Sequence, residues 1–295
     1  MEPVIKLLQV IFLAAVCVSA QAAPPSGYHL RFNGNFKGRG GNGDGWLPLS
    51  EWGPLPNYVL GNELWYPCFI DHCPDHRDFG HNFFSSTTAS QAYGRMTWKP
   101  YHGTGGWYTG ILATVDPNGS GFHVKPPFFV ITYMSMPLGS WAWTSSWGTT
   151  MNRLQSNQST NSAEIDWPER WNSEPNRPMP SLISEFHANT RTPSGSNITN
   201  APAFIHDPGM ASQNGEFYSL LVDPVSGVHA YLESATWDGK PAGDFREVFS
   251  CPFATDMQQD WYFLVDYALD DRTWTGQGWT DPTSMWVKQF QIFSP

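Results

Sequence analysis

Glu164-Ile165-Asp166-Trp167-Pro168-Glu169 sets three carboxylates close together in a chain of which only 14% is charged. Side chains on an extended strand alternate between faces, so Glu164 and Asp166 point the same way. Strict alternation would then turn Glu169 to the opposite face. One extra residue, a β-bulge, brings it back beside the other two. Pro168 suits that place, because proline lacks the N–H that a regular ladder position uses. The stretch therefore reads as a bulged strand carrying three acids in a row on one face.

Glycoside hydrolysis needs two carboxyl groups, one on each side of the scissile bond. Retaining enzymes hold them roughly 5–5.5 Å apart, one as nucleophile and one as acid/base. Crowded like charges push one pKa upward, which keeps a proton available near neutral pH. The plainer alternative is a solvated acidic face. Ile165, Trp167, Trp171 and the proline make poor company for one.

Working outward from this strand, the surroundings are β-rich. Upstream, Gly139 to Trp147 has a period of two that puts Trp141, Trp143, Ser145 and Trp147 on one face. Three tryptophans and a serine there read as a sugar-stacking platform, since the apolar faces of a sugar ring pack on indole. Downstream, Leu182 to His187 reads as a strand delivering Glu185 and His187 to one face. Further strands are expected at Tyr28 to Phe36, Trp107 to Val115, Phe128 to Met136, Phe217 to Val222, Gly227 to Glu233, Trp261 to Leu269 and Met285 to Phe293. Residues 190–215 read as loop, and residues 46–106 yield few clear strands. His72, His76, His81 and His102 are too irregularly spaced to suggest a metal site. Many short strands with Gly/Pro turns and no helical periodicity predict an all-β jelly-roll sandwich.

Composition agrees with that class. The 295 residues include 15 Trp, 19 Phe, 25 Pro and 27 Gly, ample for a large core in a single domain. A formal net charge of -10 disfavours nucleic acid or an anionic membrane as partner. Residues 1–22 read as a secretory signal: Lys6, the apolar run Leu7 to Val18, then Ala20-Gln21-Ala22 as a cleavage signal. Residues 23–295 are then one secreted domain. Without the signal, Cys68, Cys73 and Cys251 remain, and their pairing is open. Asn118-Gly119-Ser120, Asn157-Gln158-Ser159 and Asn197-Ile198-Thr199 match the glycosylation acceptor pattern.

These residues resemble glycoside hydrolase family 16, in the branch that carries E-x-D-x-x-E on a bulged strand and includes laminarinases, agarases and carrageenases. Glu164, Asp166 and Glu169 match its acids. The resemblance implies Glu164 as nucleophile, Asp166 as assisting acid and Glu169 as general acid/base. Trp143 and Trp147 look like the family's upstream tryptophan pair, with Thr144 where proline is usual. His187 resembles a histidine that commonly lines the cleft. The likeness is poor over residues 38–106.

The expected activity is retaining endo-hydrolysis of a polysaccharide, with β-1,3-glucan the default substrate and a monomer acting without cofactor. Two other functions use the same features. A transglycosylase would pass the sugar to an acceptor, and a lectin would keep the tryptophans without needing three aligned acids. Many relatives of this kind bind calcium through acidic groups near both termini, where this chain has Asn35 and Lys288. A lysine there repels a hard cation that wants oxygen ligands. Added calcium or EDTA is accordingly expected to leave the melting temperature of the purified protein unchanged, and a calcium-dependent rise would overturn this.

Overall fold

The computed structural model describes residues 23–36, 47–48, 58–60, 63–66, 77–78, 82–84, 89–92, 95–99, 101–103, 106–136, 142–154, 162–171, 182–184, 187–188, 198–199, 203–205, 215–269 and 284–295. The predicted signal segment, Cys68, Cys73, Trp141, Glu185, His72, His76 and His81 lie outside them. Within them the chain is nearly all strand, with short 3-10 turns at Met151–Leu154 and Thr255–Gln258. No helix among the described residues is long and apolar enough to cross a membrane.

The last strand, Met285–Ser294, shows how the sequence builds the sandwich. Met285, Val287, Phe290, Ile292 and Ser294 are buried, so a period of two runs the whole length apart from one slip at Lys288. The slip is a register shift against Phe128–Ser135, where Tyr133 faces Gln289 and Met134 faces Val287. Lys288 occupies the surplus position, with its Nζ 5.8 Å over the Tyr133 ring. Its other edge is shared by His29–Gly34 and Arg95–Trp98.

This strand belongs to a nine-stranded back sheet. The order runs Leu47–Pro48, Ala89–Ala92, Arg95–Trp98, Met285–Ser294, Phe128–Ser135, Glu216–Asp223, Gly227–Ser234 and Arg246–Cys251, with His29–Gly34 the ninth. A second nine-stranded sheet carries the acids. Its order is Ala203–Ile205, Leu182–Ser184, Glu164–Trp171, Ala142–Thr150, Trp261–Leu269, Gly106–Ala113, Asn82–Phe84 and Arg77–Asp78, with Tyr101–Gly103 beside Gly106–Ala113. Hairpin neighbours alternate with strands far apart in sequence, such as Met285–Ser294 between His29–Gly34 and Phe128–Ser135, as a jelly roll requires.

One aromatic core joins the sheets. Phe290 from the back sheet meets Phe263 from the acid sheet at 6.1 Å between ring centroids, and Trp65 and Phe32 edge-on at 5.5 and 6.3 Å. Phe128 stands edge-on to Trp261 and Phe263. These offset and T-shaped pairings are what ring quadrupoles favour. Thr132 and Ser146 place one hydroxyl–hydroxyl contact of 3.1 Å across the core, so neither polar group is buried unmatched.

Four expectations change. Arg246–Cys251 is a strand that the sequence hid, because it is a partly exposed edge whose residues show no clean alternation. A Cβ at Gly227 would lie 2.5 Å from the Cys251 carbonyl oxygen, and its φ of 108° is open to glycine but not to most residues. The stretch predicted from Leu182 to His187 enters two different pairings. Leu182–Ser184 pairs with the acid strand, whereas His187–Ala188 pairs with Ile198–Thr199 in a separate two-stranded ribbon. Ile198–Thr199 and Ala203–Ile205 also put strand into the predicted loop. Residues 46–106 contain short strands too brief to show periodicity, among them Arg95–Trp98 with Met96 and Trp98 fully buried. Among the described residues Cys251 is a free thiol, whose pKa burial pushes up.

The shared core gives a direct expectation. Phe290→Ala removes a ring that packs against Phe32, Trp65 and Phe263, and should cost about 3–5 kcal/mol. Urea unfolding should show a lowered midpoint at unchanged slope; an unshifted midpoint would mean that the two sheets are not held by this cluster.

Candidate active site

The register between Ala142–Thr150 and Glu164–Trp171 fixes where the acids point. Thr149 lies opposite Glu164, Trp147 opposite Asp166 and Ser145 opposite Glu169. Two residues separate Ser145 from Trp147 by number, but three separate Asp166 from Glu169. The acid strand thus carries one surplus residue at Trp167-Pro168, a bulge. Directly opposed residues in an antiparallel pair share a face. Ser145, Trp147 and Thr149 alternate on one face, and so Glu164, Asp166 and Glu169 share it. The Trp167–Pro168 peptide bond is cis.

The opposite face explains why the bulge holds its place. Ile165 and Trp167 point into the core and are buried. Trp167 packs edge-on against Tyr218, and its indole N–H donates to the Tyr231 carbonyl of the back sheet at 3.2 Å. Gly148, opposite Ile165, leaves room for Phe263, whose ring a Cβ there would meet at 2.9 Å.

The start of the acid strand is also clamped. Thr150 N–H donates to the Ala163 carbonyl at 3.0 Å, the Thr149 hydroxyl donates to that same carbonyl at 2.8 Å, and Ala163 N–H donates to Thr150 Oγ1 at 3.1 Å. The 3-10 turn Met151–Leu154 follows at once, held by Met151 N–H on the Asp260 carbonyl at 2.8 Å. It brings Arg153 Nη1 to 3.6 Å from Glu164 Oε2, with both side chains more than four-fifths buried.

Extending the registers across Trp261–Leu269 and Gly106–Ala113 gives three rows on the acid face. Ile111, Asp266, Ser145 and Glu169 form one. Ala113, Leu264, Trp147 and Asp166 form the next, and Tyr262, Thr149 and Glu164 the third. Asp166, Glu169 and Asp266 are each buried, at 6%, 4% and 4% exposure. Asp266 is a fourth carboxylate on this face, which sequence reading missed. Its signal was an acid at the alternation position two after Leu264 in an otherwise apolar strand.

The expectation of an open stacking platform is corrected at Trp147. It shares the face of the acids, as alternation predicts, but it is 7% exposed. It packs in an apolar cluster with Ile111, Ala113, Val115, Tyr262 and Leu264, which Met151 and Leu154 flank. Its indole N–H donates to Asp266 Oδ1 at 2.7 Å. Trp147 is therefore a packed wall rather than a free surface. Trp143 lies opposite Trp171 and Ala268 in the backbone register. His187 sits in the ribbon with its backbone opposite Thr199. Among the described residues Ser145 Oγ has no hydrogen-bond partner, although it is buried in the same row as Asp266 and Glu169, between them.

Comparison with protein-family models gives no match, and none of the curated proteins matches either. Solved structures do match over most of the chain. The laminarinase from Flavobacterium sp. UMI-01 superposes with a TM-score of 0.61 at 14% identity, covering 90% of this chain and 100% of that one. β-Agarase A from Zobellia galactanivorans gives 0.59 at 14% identity, with 95% and 97% covered. The endo-β-1,3-glucanase from Pyrococcus furiosus gives 0.53 at 12%, with 82% and 98% covered. At such identities the likeness is one of fold: this chain shares the all-β jelly-roll sandwich of those proteins.

Proposed function

We propose that this chain is a retaining endo-β-glycosidase of glycoside hydrolase family 16 that cleaves a polysaccharide, with β-1,3-glucan as the first candidate. One observation carries the reading: the surplus residue at Trp167-Pro168 brings Glu164, Asp166 and Glu169 onto one face of the sheet. The shared fold supports it, since proteins described as laminarinase, endo-β-1,3-glucanase and β-agarase have the same sandwich.

In this mechanism a Glu164 oxygen attacks the anomeric carbon as the glycosidic C–O bond breaks. The departing oxygen takes a proton from Glu169. Asp166, between them along the strand, assists by holding the charge balance of the pair. In the second step Glu169 removes a proton from water, which attacks the anomeric carbon and returns the bonding electrons to Glu164. Retention follows from the two inversions. Trp143 and His187 would line the cleft beside this row, and Trp141 would extend it. Residues 1–22 would direct secretion, and residues 23–295 would act as a single monomeric domain.

A transglycosylase would share the first step and differ only in the acceptor, so product sizing with added acceptor separates the two. A lectin would bind glycan and turn nothing over. The decisive assay is reducing-sugar release from a polysaccharide panel. Glu169→Gln should lower kcat by about 10²–10⁴, Glu164→Gln should abolish turnover, and the freshly released product should keep the β configuration by NMR. Equal activity of Glu164→Gln and wild type would sink the assignment.

A further inference from the structure

Beside the proposed nucleophile stands Arg153, whose Nη1 is 3.6 Å from Glu164 Oε2. The contact is built rather than incidental. The Thr149, Thr150 and Ala163 hydrogen bonds tie the end of the tryptophan strand to the residue before Glu164. Met151 and Leu154, on either side of Arg153 in the same turn, pack against the apolar cluster of Trp147, Tyr262 and Leu264. Both ends of the ion pair are therefore anchored to the same corner of the sheet.

Tyr262 closes that corner from the third strand. It lies in the row of Thr149 and Glu164, is 1% exposed, and its hydroxyl has no hydrogen-bond partner among the described residues. Burial pushes its pKa well up, Arg153 opposes that rise and the Glu164 charge adds to it. The phenol stays neutral, so it neither screens nor replaces the guanidinium. An ion pair shielded on one side by apolar packing keeps much of its strength.

We infer that Arg153 is a positioning residue that makes Glu164 a good leaving group in the second half of the reaction, an inference that rests on the function proposed above. Its reach to Oε2 leaves Oε1 as the oxygen that attacks. When Oε1 bonds to the anomeric carbon, Glu164 becomes a neutral ester and this ion pair with the guanidinium is lost. When water attacks, the ester C–O bond breaks, the electron pair returns to Oε1 and the ion pair re-forms. Arg153 thus favours the state with free carboxylate over the glycosyl-enzyme. It speeds release of the sugar, and it does little for the attack that precedes it.

An opposite charge at this range favours the ionised form of a carboxyl group, and about 1.4 kcal/mol of that support lost from the release step is about a tenfold change in its rate. The test uses the full mature chain and the panel glycan that the wild type cleaves, beginning with a β-1,3-glucan oligosaccharide carrying an aryl leaving group. Arg153→Met should lower kcat about tenfold while kcat/KM changes less than about twofold. KM should fall in step, a burst of phenol should precede the slow phase, and intact mass should show a glycosyl adduct. Arg153→Lys keeps the charge and should behave close to wild type.

Should Arg153→Met fail to fold, Arg153→Gln keeps a hydrogen-bonding head without the charge and draws the same distinction. Equal loss of kcat and kcat/KM with no adduct, in an enzyme whose turnover needs Glu164, overturns this inference alone. No release from any member of the panel by the wild type overturns it together with the proposed function.

Discussion

The surplus residue between Asp166 and Glu169 is the constraint on which this molecule turns. On the inner side, Ile165 and Trp167 must reach the core shared with Tyr218 and Phe263. On the outer side, Glu164, Asp166 and Glu169 must all face away from it. A strand of strict period two cannot satisfy both. Without the bulge, Glu169 would enter the aromatic core, where an ionised carboxylate costs several kcal/mol even after the protein relaxes, an order-of-magnitude figure. The core therefore enforces the bulge, and the aligned acids follow from it. Trp167 secures the arrangement by anchoring the bulge to the Tyr231 carbonyl in the other sheet.

A second consequence concerns the ground beside the acids. The face that bears them is not uniformly polar, for its Gly106–Ala113 and Trp261–Leu269 side is an apolar cluster centred on Trp147. Trp147 meets both regions at once. Its ring packs among Ile111, Tyr262 and Leu264, and its N–H holds Asp266. A dry wall beside a row of carboxylates lowers the local dielectric, which strengthens every charge interaction along the row. It also makes the burial of Asp166, Glu169 and Asp266 expensive, so their hydrogen bonds have to be good ones.

How legible this was in the sequence depends on how local each signal is. Trp261–Leu269 matched its predicted ends, and Met285–Ser294 differed by one residue, because both are long strands with one face in the core. The bulge was legible from Pro168, whose missing N–H is a local fact. Alternation also gave the correct face for Trp147. It could not say what lies over that face, since the Asp266 that receives the indole N–H is 119 residues away. Asp266 and Arg153 were missed for the same reason: each has an unremarkable neighbourhood in sequence and gains its meaning from a strand pairing. Arg246–Cys251 was missed because a half-exposed edge strand needs no pattern beyond the hydrogen bonds of its partner.

The clamp at Ala163 shows how stability and chemistry come to share parts. Its three hydrogen bonds start the acid strand in register, and a buried hydrogen bond of this kind contributes about 1 kcal/mol net. The same bonds set the distance between the 3-10 turn and Glu164, so any change that loosens Thr149 or Thr150 acts on the fold and on Arg153 together. The bulge has no such link to Arg153, because it lies at the far end of the acid row. The row therefore has two separately built ends, one around Glu164 and one around Glu169. That division matches the two tasks that the proposed retaining reaction asks of its carboxyl groups, one entering the first step charged and one carrying a proton.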